Sequence, residues 1–183
     1  GDSDVLKSVE NNSQISPSPD TLKIIQDKLL QKQFLSDNNI PVPEFIKIDD
    51  FDDLKNGLEK FGFPALLKAR RDAYDGKGNY KIDSEKDVQK AFDYFKGKPL
   101  LLEKFIPFEM EVSVIAARNT MGQIKSYPLV ENIHEKNILR QTIAPARVPK
   151  QIISEADQIA EKTMSVLKGA GIFGIEMFVT KEG

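Results

Sequence analysis

The residues best suited to chemistry surround a basic, glycine-containing loop. Lys68 ends an apolar run and precedes the segment Tyr74-Asp75-Gly76-Lys77-Gly78-Asn79. Glycines let backbone N–H groups approach phosphate oxygens, and a lysine supplies positive charge, so this combination predicts a phosphate clamp. The segment matches neither the Walker A pattern nor GxGxxG. A plain β-hairpin with a solvated Lys68 therefore stays open as the alternative.

Two carboxylates flank an apolar connector further along the chain. Glu103 ends the apolar run 100–102, and Glu111 opens the next apolar run beyond the connector 104–108. Such a connector can contact a nucleotide base, while a carboxylate accepts hydrogen bonds from ribose hydroxyls. A simple linker with exposed charges is the alternative interpretation.

Glu176 and His134 are the other two candidates. Glu176 lies within GIFGIEMFV, where a strand would place it on the same face as Gly174 and Phe178. A carboxylate buried there needs a partner, which can be Mg²⁺ or a basic side chain; a sheet face open to water is the third option. His134 can contact phosphate, although a surface position without a function is the alternative.

Composition indicates a globular domain and excludes several classes of protein. Of 183 residues, 40% are hydrophobic and 30% are charged, and the net charge of −2 argues against a dedicated nucleic-acid-binding domain. The sequence has no Cys and one His, which excludes disulfides, thiolate zinc sites and multi-histidine metal sites. No apolar run is long enough to span a bilayer, so we expect a cytoplasmic enzyme or binding domain without membrane association.

Hydrophobic periodicity predicts the elements that must position these groups. We expect helices at about 21–38, 50–61, 84–95 and 149–168. We expect strands at about 45–48, 63–69, 80–82, 100–102, 111–118, 124–130, 138–144 and 172–179. This order predicts an α+β fold with a tail or connector at 1–19, a first lobe at 20–102 and a second lobe at 103–183.

Taken in order, these segments resemble one known family. The resemblance is carried by SPSPDTLKIIQDKLLQKQFL, IPVPEF, LLKARRDAYDGKGN, LLLEKFIPFEMEVSV, YPLVENIHEKNIL, APARVP and GAGIFGIEMF. In this order and spacing they are similar to the 5-(carboxyamino)imidazole ribonucleotide synthase family, also called the ATPase subunit of phosphoribosylaminoimidazole carboxylase. The resemblance implies the ATP-grasp fold, in which ATP lies between two α+β lobes.

The resemblance also implies roles for single positions. Lys28 and Lys68 correspond to phosphate-contacting positions, Glu111 to a ribose-binding carboxylate and His134 to a further nucleotide-site position. Glu176 corresponds to the first of two Mg²⁺-binding carboxylates.

Two segments acquire roles in the same way. The resemblance implies a mobile glycine-rich loop made of Ala73, Tyr74, Asp75, Gly76, Lys77, Gly78 and Asn79. It implies an adenine-binding connector made of Glu103, Lys104, Phe105 and Ile106. Tyr74 and Lys77 would be catalytic, near the bicarbonate-derived group and the imidazole substrate. Asp72-Ala73 stand where many members have two glycines, which should stiffen the start of the loop.

The implied reaction uses ATP, with Mg²⁺, to carboxylate aminoimidazole ribonucleotide with bicarbonate in de novo purine biosynthesis, through carboxyphosphate. The family also has an N-terminal α/β domain and a second metal-binding carboxylate beyond the position of Gly183. We therefore expect a fragment with little turnover and weak ATP affinity alone, whose missing parts belong to the same protein. The alternatives are another ATP-grasp ligase of purine metabolism and a non-catalytic nucleotide-binding module. A homodimer is left open.

Overall fold

The structure is a computed structural model that describes residues 3–10, 15–71, 78–135 and 138–183. The helices are α1 (Ser3–Val9), α2 (Pro19–Gln26), α3 (Lys28–Asp37), α4 (Phe51–Phe61), α5 (Val88–Tyr94) and α6 (Lys150–Val166). The strands are β1 (Phe45–Ile48), β2 (Ala65–Ala69), β3 (Asn79–Ile82), β4 (Leu100–Lys104), β5 (Met110–Arg118), β6 (Ile124–Ser126), β7 (Val130–Glu135), β8 (Ile138–Ile143) and β9 (Gly171–Val179). A short 3₁₀ turn, Glu85–Asp87, precedes α5.

The first sheet has the strand order β1-β4-β2-β3, and its neighbouring strands are antiparallel. Leu67 and Leu102 are fully buried in its core, which also takes residues from α4 and α5. Because side chains alternate across a strand, Lys68 and Glu103 lie on the opposite face of the sheet. α4 and α5 thus cover one face, and the other carries polar groups, which α3 reaches through Lys32.

The second sheet is built around β5, which pairs with β6, β7 and β9, while β8 pairs with β7. Val112, Val114 and Ala116 of β5 pack with Ala160 and Met164 of α6 in a second core. The opposite face of β5 carries Glu111 and Ser113 by the same alternation. None of the helices that the structure describes is long and apolar enough to cross a membrane.

The prediction of one helix over 21–38 is wrong, because Asp27 separates α2 from α3. Asp27 has extended backbone angles, φ −121° and ψ 112°, and its carboxylate accepts hydrogen bonds from the N–H groups of Leu29 and Leu30. It therefore ends one helix and caps the next. The predicted strand 124–130 is too long, since β6 ends at Ser126, and the strand β7 over Val130–Glu135 was not predicted.

Candidate functional site

A cavity of about 770 Å³ opens between the two sheets. Its walls include Lys32 of α3, Lys68 of β2 and Glu103 of β4 on one side, and Glu176 of β9 on the other. Ile106, in the connector between β4 and β5, also lines it. This volume lies within the range of cavities that hold small-molecule ligands, and both sheets contribute to its lining.

A buried carboxylate organises the lysines on the first wall. The Lys68 ammonium lies 2.8 Å from Glu103 Oε2, and the Lys32 ammonium lies 3.2 Å from Glu103 Oε1. Glu103 itself is only 2% exposed. Lys28 and Lys32 are four residues apart, so they lie on neighbouring turns of the same face of α3. Lys32 and Lys68 around one carboxylate leave an excess of positive charge on this wall, and the charge of Lys28, which does not line the cavity, adds to it.

The close packing of these lysines is reflected in the lowered pKa values of Lys28 and Lys32. Burial lowers the pKa of Lys28, and the nearby Lys68 charge lowers it further, against the opposing influence of Glu103 and Glu176. Burial likewise lowers the pKa of Lys32, and Glu103 only partly offsets this. A lowered lysine pKa means that the charged form is under-compensated. An anionic group placed between these side chains would supply the missing compensation.

Two buried polar atoms lack a hydrogen-bond partner among the described residues: Glu103 Oε1 and His134 Nδ1. Each has a charged neighbour, Lys32 at 3.2 Å and Glu111 Oε2 at 2.8 Å respectively, but neither contact is directed as a hydrogen bond. Buried polar atoms are normally paired, so an unpaired one calls for an explanation. Glu103 borders the cavity, where a ligand can satisfy it.

The second wall includes the face of the second sheet that carries Glu176, and α6 also contributes residues to the cavity lining. The register between β5 and β9 places Glu176 opposite Ser113 and Phe178 opposite Glu111. Glu176 is exposed and shares this face with Phe178, as the sequence predicted. The Phe178 ring stacks on Phe108 at a centroid distance of 4.5 Å. A carboxylate thus faces the lysines, with aromatic surface beside it.

Glu176 satisfies part of what Mg²⁺ requires. No cluster of three or more acidic or histidine side chains that could hold a metal occurs among the described residues. Mg²⁺ bound to a nucleotide commonly uses only one or two carboxylates and completes its shell with phosphate oxygens and waters. An exposed carboxylate on the cavity wall, opposite lysines, fits that kind of partial site.

Some predicted site residues direct their side chains away from the cavity. The Lys104 ammonium pairs with Glu44 at 2.6 Å, with both side chains about half exposed. The Phe105 ring lies under the Lys81 ammonium at 5.1 Å. Neither Lys104 nor Phe105 lines the cavity, so any contact of theirs with a ligand there would come from the backbone.

The predicted glycine-rich loop is only partly described. Gly78 accepts a hydrogen bond from the Ala69 N–H at 2.9 Å, and Asn79 opens β3 directly opposite Lys68. The other members lie outside the described residues: Ala73, Tyr74, Asp75, Gly76 and Lys77. The described ends of the loop therefore meet next to Lys68.

Sequence reasoning missed Lys32 and Asp27. A signal for Lys32 was present, because it follows Lys28 by four residues and so shares its helix face. The helical periodicity of the sequence predicted that Asp27 lies in the interior of one continuous helix. Its partners Arg70 and Arg71 lie more than 40 residues away in the sequence. No local sequence pattern predicts that contact.

A family model for the ATP-grasp domain matches residues 33–183. The chain therefore belongs to the ATP-grasp family, and the expected α+β ATP-grasp fold is confirmed. Comparison with individual relatives gives a narrower match than the family model. The chain is 39% identical over 180 residues to a phosphoribosylaminoimidazole carboxylase from Schizosaccharomyces pombe, covering 98% of this chain and 33% of that protein.

Two solved structures are similar over nearly the whole chain. A carboxyaminoimidazole ribonucleotide synthase from Aspergillus clavatus, complexed with ATP, matches with a TM-score of 0.95 and 34% identity, covering 99% of this chain and 48% of that one. An N5-carboxyaminoimidazole synthase from Aspergillus clavatus, in complex with ADP and 5-aminoimidazole ribonucleotide, matches with a TM-score of 0.92 and 32% identity. This match covers 99% of this chain and 48% of that one. The chain thus spans about a third of the curated relative and about half of the solved chains. The resemblance inferred from the sequence is confirmed.

Proposed function

We propose that this chain is the nucleotide-binding part of an ATP-dependent ligase that carboxylates 5-aminoimidazole ribonucleotide. The observation that carries the proposal is the single cavity that has Lys68 and Glu103 on one wall and Glu176 on the other. Opposed positive and negative walls suit a triphosphate with its bound cation. The relatives solved with ATP, and with ADP and 5-aminoimidazole ribonucleotide, support this choice of ligands.

In this proposal the lysines hold the phosphates. Lys28 and Lys68 neutralise oxygens of the triphosphate, and both are pre-placed near a buried counter-charge. Glu176 would hold Mg²⁺ as a carboxylate ligand, and the cation would supply further positive charge to the phosphates. Fixed charges that need no reorganisation during the reaction are the main source of rate enhancement in phosphoryl transfer.

The nucleoside end is assigned to the connector and the second sheet. The backbone of 103–106 would contact the adenine, and Glu111 would accept hydrogen bonds from the ribose. His134 Nδ1 lies 2.8 Å from Glu111 Oε2, so the two side chains are immediate neighbours. Stacked Phe108 and Phe178 add apolar surface on the same side of the site.

The proposed chemistry has two steps. A bicarbonate oxygen attacks the γ-phosphorus of ATP, and the bond to the β–γ bridging oxygen breaks, which gives carboxyphosphate and ADP. The exocyclic amine of aminoimidazole ribonucleotide then bonds to the carboxyl carbon, directly or through released CO₂, while phosphate leaves and the amine loses a proton. Carboxyphosphate hydrolyses readily, so the loop 73–79, with Tyr74 and Lys77, would exclude water during the transfer.

For the 183-residue chain by itself, we propose binding without efficient turnover. The chain spans less than half of the synthases it matches, which favours a nucleotide-binding module that depends on the rest of a longer protein. A homodimer and a cytoplasmic location also remain predictions. The alternative function is that of another ATP-grasp ligase of purine metabolism. It is distinguished by measuring phosphate release with different ribonucleotides as substrates.

The test is calorimetric binding of ATP·Mg²⁺ to the full-length protein that contains this chain, for wild type and Lys68→Ala. We expect binding that Lys68→Ala weakens by roughly a hundredfold, because a buried charge-assisted phosphate contact is lost. Lys162→Ala, which removes an exposed lysine on α6, is the matched control and should leave binding unchanged. Binding of ATP·Mg²⁺ by Lys68→Ala at the wild-type affinity would show that the phosphate clamp is assigned wrongly.

A further inference from the structure

The inference concerns a buried carboxylate that the proposed chemistry does not use. Asp27, between α2 and α3, is 2% exposed. Its Oδ1 accepts hydrogen bonds from the N–H groups of Leu29 at 3.0 Å and Leu30 at 3.3 Å and from Arg70 Nε at 3.0 Å. Its Oδ2 accepts from Arg70 Nη2 at 2.6 Å and Arg71 Nε at 3.2 Å. Five donors on one carboxylate are far more than a helix cap needs.

These contacts join the start of α3 to the end of β2. The Arg70 guanidinium approaches Asp27 as a two-pronged fork, which fixes direction as well as distance. The backbone adds to the connection, because the Lys28 N–H donates to the Arg70 carbonyl at 3.0 Å. Arg70 is also held from the other side, where its N–H donates to the Pro99 carbonyl at 2.9 Å.

The two phosphate-binding lysines are the immediate neighbours of this junction. Lys28 follows Asp27 directly, and Lys68 precedes Arg70 by two residues on β2. The charge of Lys68 contributes to the lowered pKa of Lys28, so the two ammonium groups are close enough to repel each other. Like charges separate unless the backbones that carry them are fixed. The contacts of Asp27 provide that restraint.

We propose that Asp27 is a positioning residue for the nucleotide site: through Arg70 it fastens α3 to β2 and so holds Lys28 and Lys68 side by side. This inference rests on the proposed function, since it assumes that both lysines bind the same triphosphate. Asp27 itself does not touch the ligand. It acts by keeping two repelling charges at a fixed separation before the ligand arrives.

The decisive variant is Asp27→Ser in the full-length protein. Serine is a good N-cap, so it keeps the start of α3 while removing the contacts to Arg70 and Arg71. We expect the Kd for ATP·Mg²⁺ and the KM for ATP to rise roughly tenfold or more, because small displacements of positioned groups are costly. The KM for the ribonucleotide substrate should stay within about twofold. A purely structural role would instead change both KM values together or neither.

Glu131→Gln is the matched control. Glu131 is also buried and also accepts two hydrogen bonds from one arginine, Arg147, at 2.9 and 2.6 Å, but it lies on β7 in the second sheet. We expect its ATP affinity to remain within about twofold of wild type. Thermal midpoints of all variants separate a loss of stability from a loss of affinity.

Arg70→Lys provides a second, milder variant, which decides the matter alone if Asp27→Ser does not fold. It keeps a positive charge near Asp27 and loses the fork, so the Kd should rise by roughly threefold or more. Folded variants with unchanged ATP affinity, in a protein whose wild type binds ATP·Mg²⁺, overturn the inference and leave the proposed function intact. A wild type that does not bind ATP·Mg²⁺ overturns both.

Discussion

At the scale of single residues, Glu103 is the counter-ion on which the lysine wall depends. It is buried between Lys68 at 2.8 Å and Lys32 at 3.2 Å. In Glu103→Gln both lysines would lose that charge while remaining mostly buried, and removal of one partner from a buried ionic cluster is strongly destabilising. We expect the free energy of unfolding to fall by about 3 kcal/mol, measured by urea denaturation.

Glu44→Gln is the control for Glu103→Gln. Glu44 also pairs with a lysine, Lys104 at 2.6 Å, but both side chains are about half exposed. Water replaces such a contact easily, so no measurable change in unfolding free energy is expected. Equal losses in the two variants would contradict the importance of burial at Glu103.

The ionised Asp27 carboxylate should make the stability of the protein depend on pH. Burial raises its pKa, but the hydrogen bonds from Arg70, the Leu30 N–H and Arg71 together outweigh burial, so the pKa lies below the usual value of 3.8. A carboxylate whose pKa is lower in the folded state stabilises the protein above its unfolded pKa, and this stabilisation disappears as the pH falls through the folded pKa. Urea denaturation of wild type and Asp27→Asn should therefore differ most at neutral pH. The difference should shrink below pH 3.8; a constant difference would argue against an ionised Asp27.

At the scale of elements, α2 is docked against the turn between α6 and β9 at Gly169. Gly169 has φ +82°, and a Cβ there would lie 2.5 Å from the Ser18 backbone nitrogen. Ser18 caps α2 by accepting a hydrogen bond from the Thr21 N–H, and the Thr21 hydroxyl donates to the Lys168 carbonyl at 2.8 Å. We expect Gly169→Ala to lower the free energy of unfolding by about 3 kcal/mol, through backbone strain plus the clash.

Gly122→Ala separates these two causes. Gly122 has the same φ of +82°, but nothing lies within 4 Å of the Cβ that alanine would add. Gly122→Ala should therefore lower the free energy of unfolding by only about 1 kcal/mol, which is the cost of the left-handed conformation. Urea denaturation measures both variants. If the two losses prove equal, the close approach of Gly169 to α2 contributes nothing.

The same elements show what the sequence could and could not predict. Alternation and helical periodicity located most of the strands and helices, because each depends on residues close in sequence. α4 is an example, with Asp50 as its N-cap and Gly62 at its end. The same patterns did not locate β7, over Val130–Glu135. The break at Asp27 depends on Arg70 and Arg71, which no local pattern connects to it. The division between β6 and β7 likewise depends on which parts of β5 each one pairs with.

At the scale of the whole molecule, the site exists only because two separately built sheets face each other. The sequence resemblance identified Lys68 and Glu176, and the structure places both on the lining of one cavity. It could not identify the ion pairs of Glu103, since the pair with Lys32 requires α3 to lie against the first sheet and the pair with Lys68 requires β2 to lie beside β4. Residue types alone indicate which groups can bind phosphate, whereas the distances between elements determine whether they act together.

That cooperation between the sheets can be tested with a double-mutant cycle between Lys68 and Glu176. If both act on one Mg²⁺-bound triphosphate, the losses in ATP·Mg²⁺ binding free energy from Lys68→Ala and Glu176→Gln are not additive, with a coupling of about 1 kcal/mol or more. The control cycle pairs Lys68→Ala with Glu161→Gln, an exposed position on α6. There the losses should add, because Glu161 does not line the cavity. Calorimetry with the full-length protein measures both cycles. Additive losses in both would mean that the two walls of the cavity bind different ligands, or none.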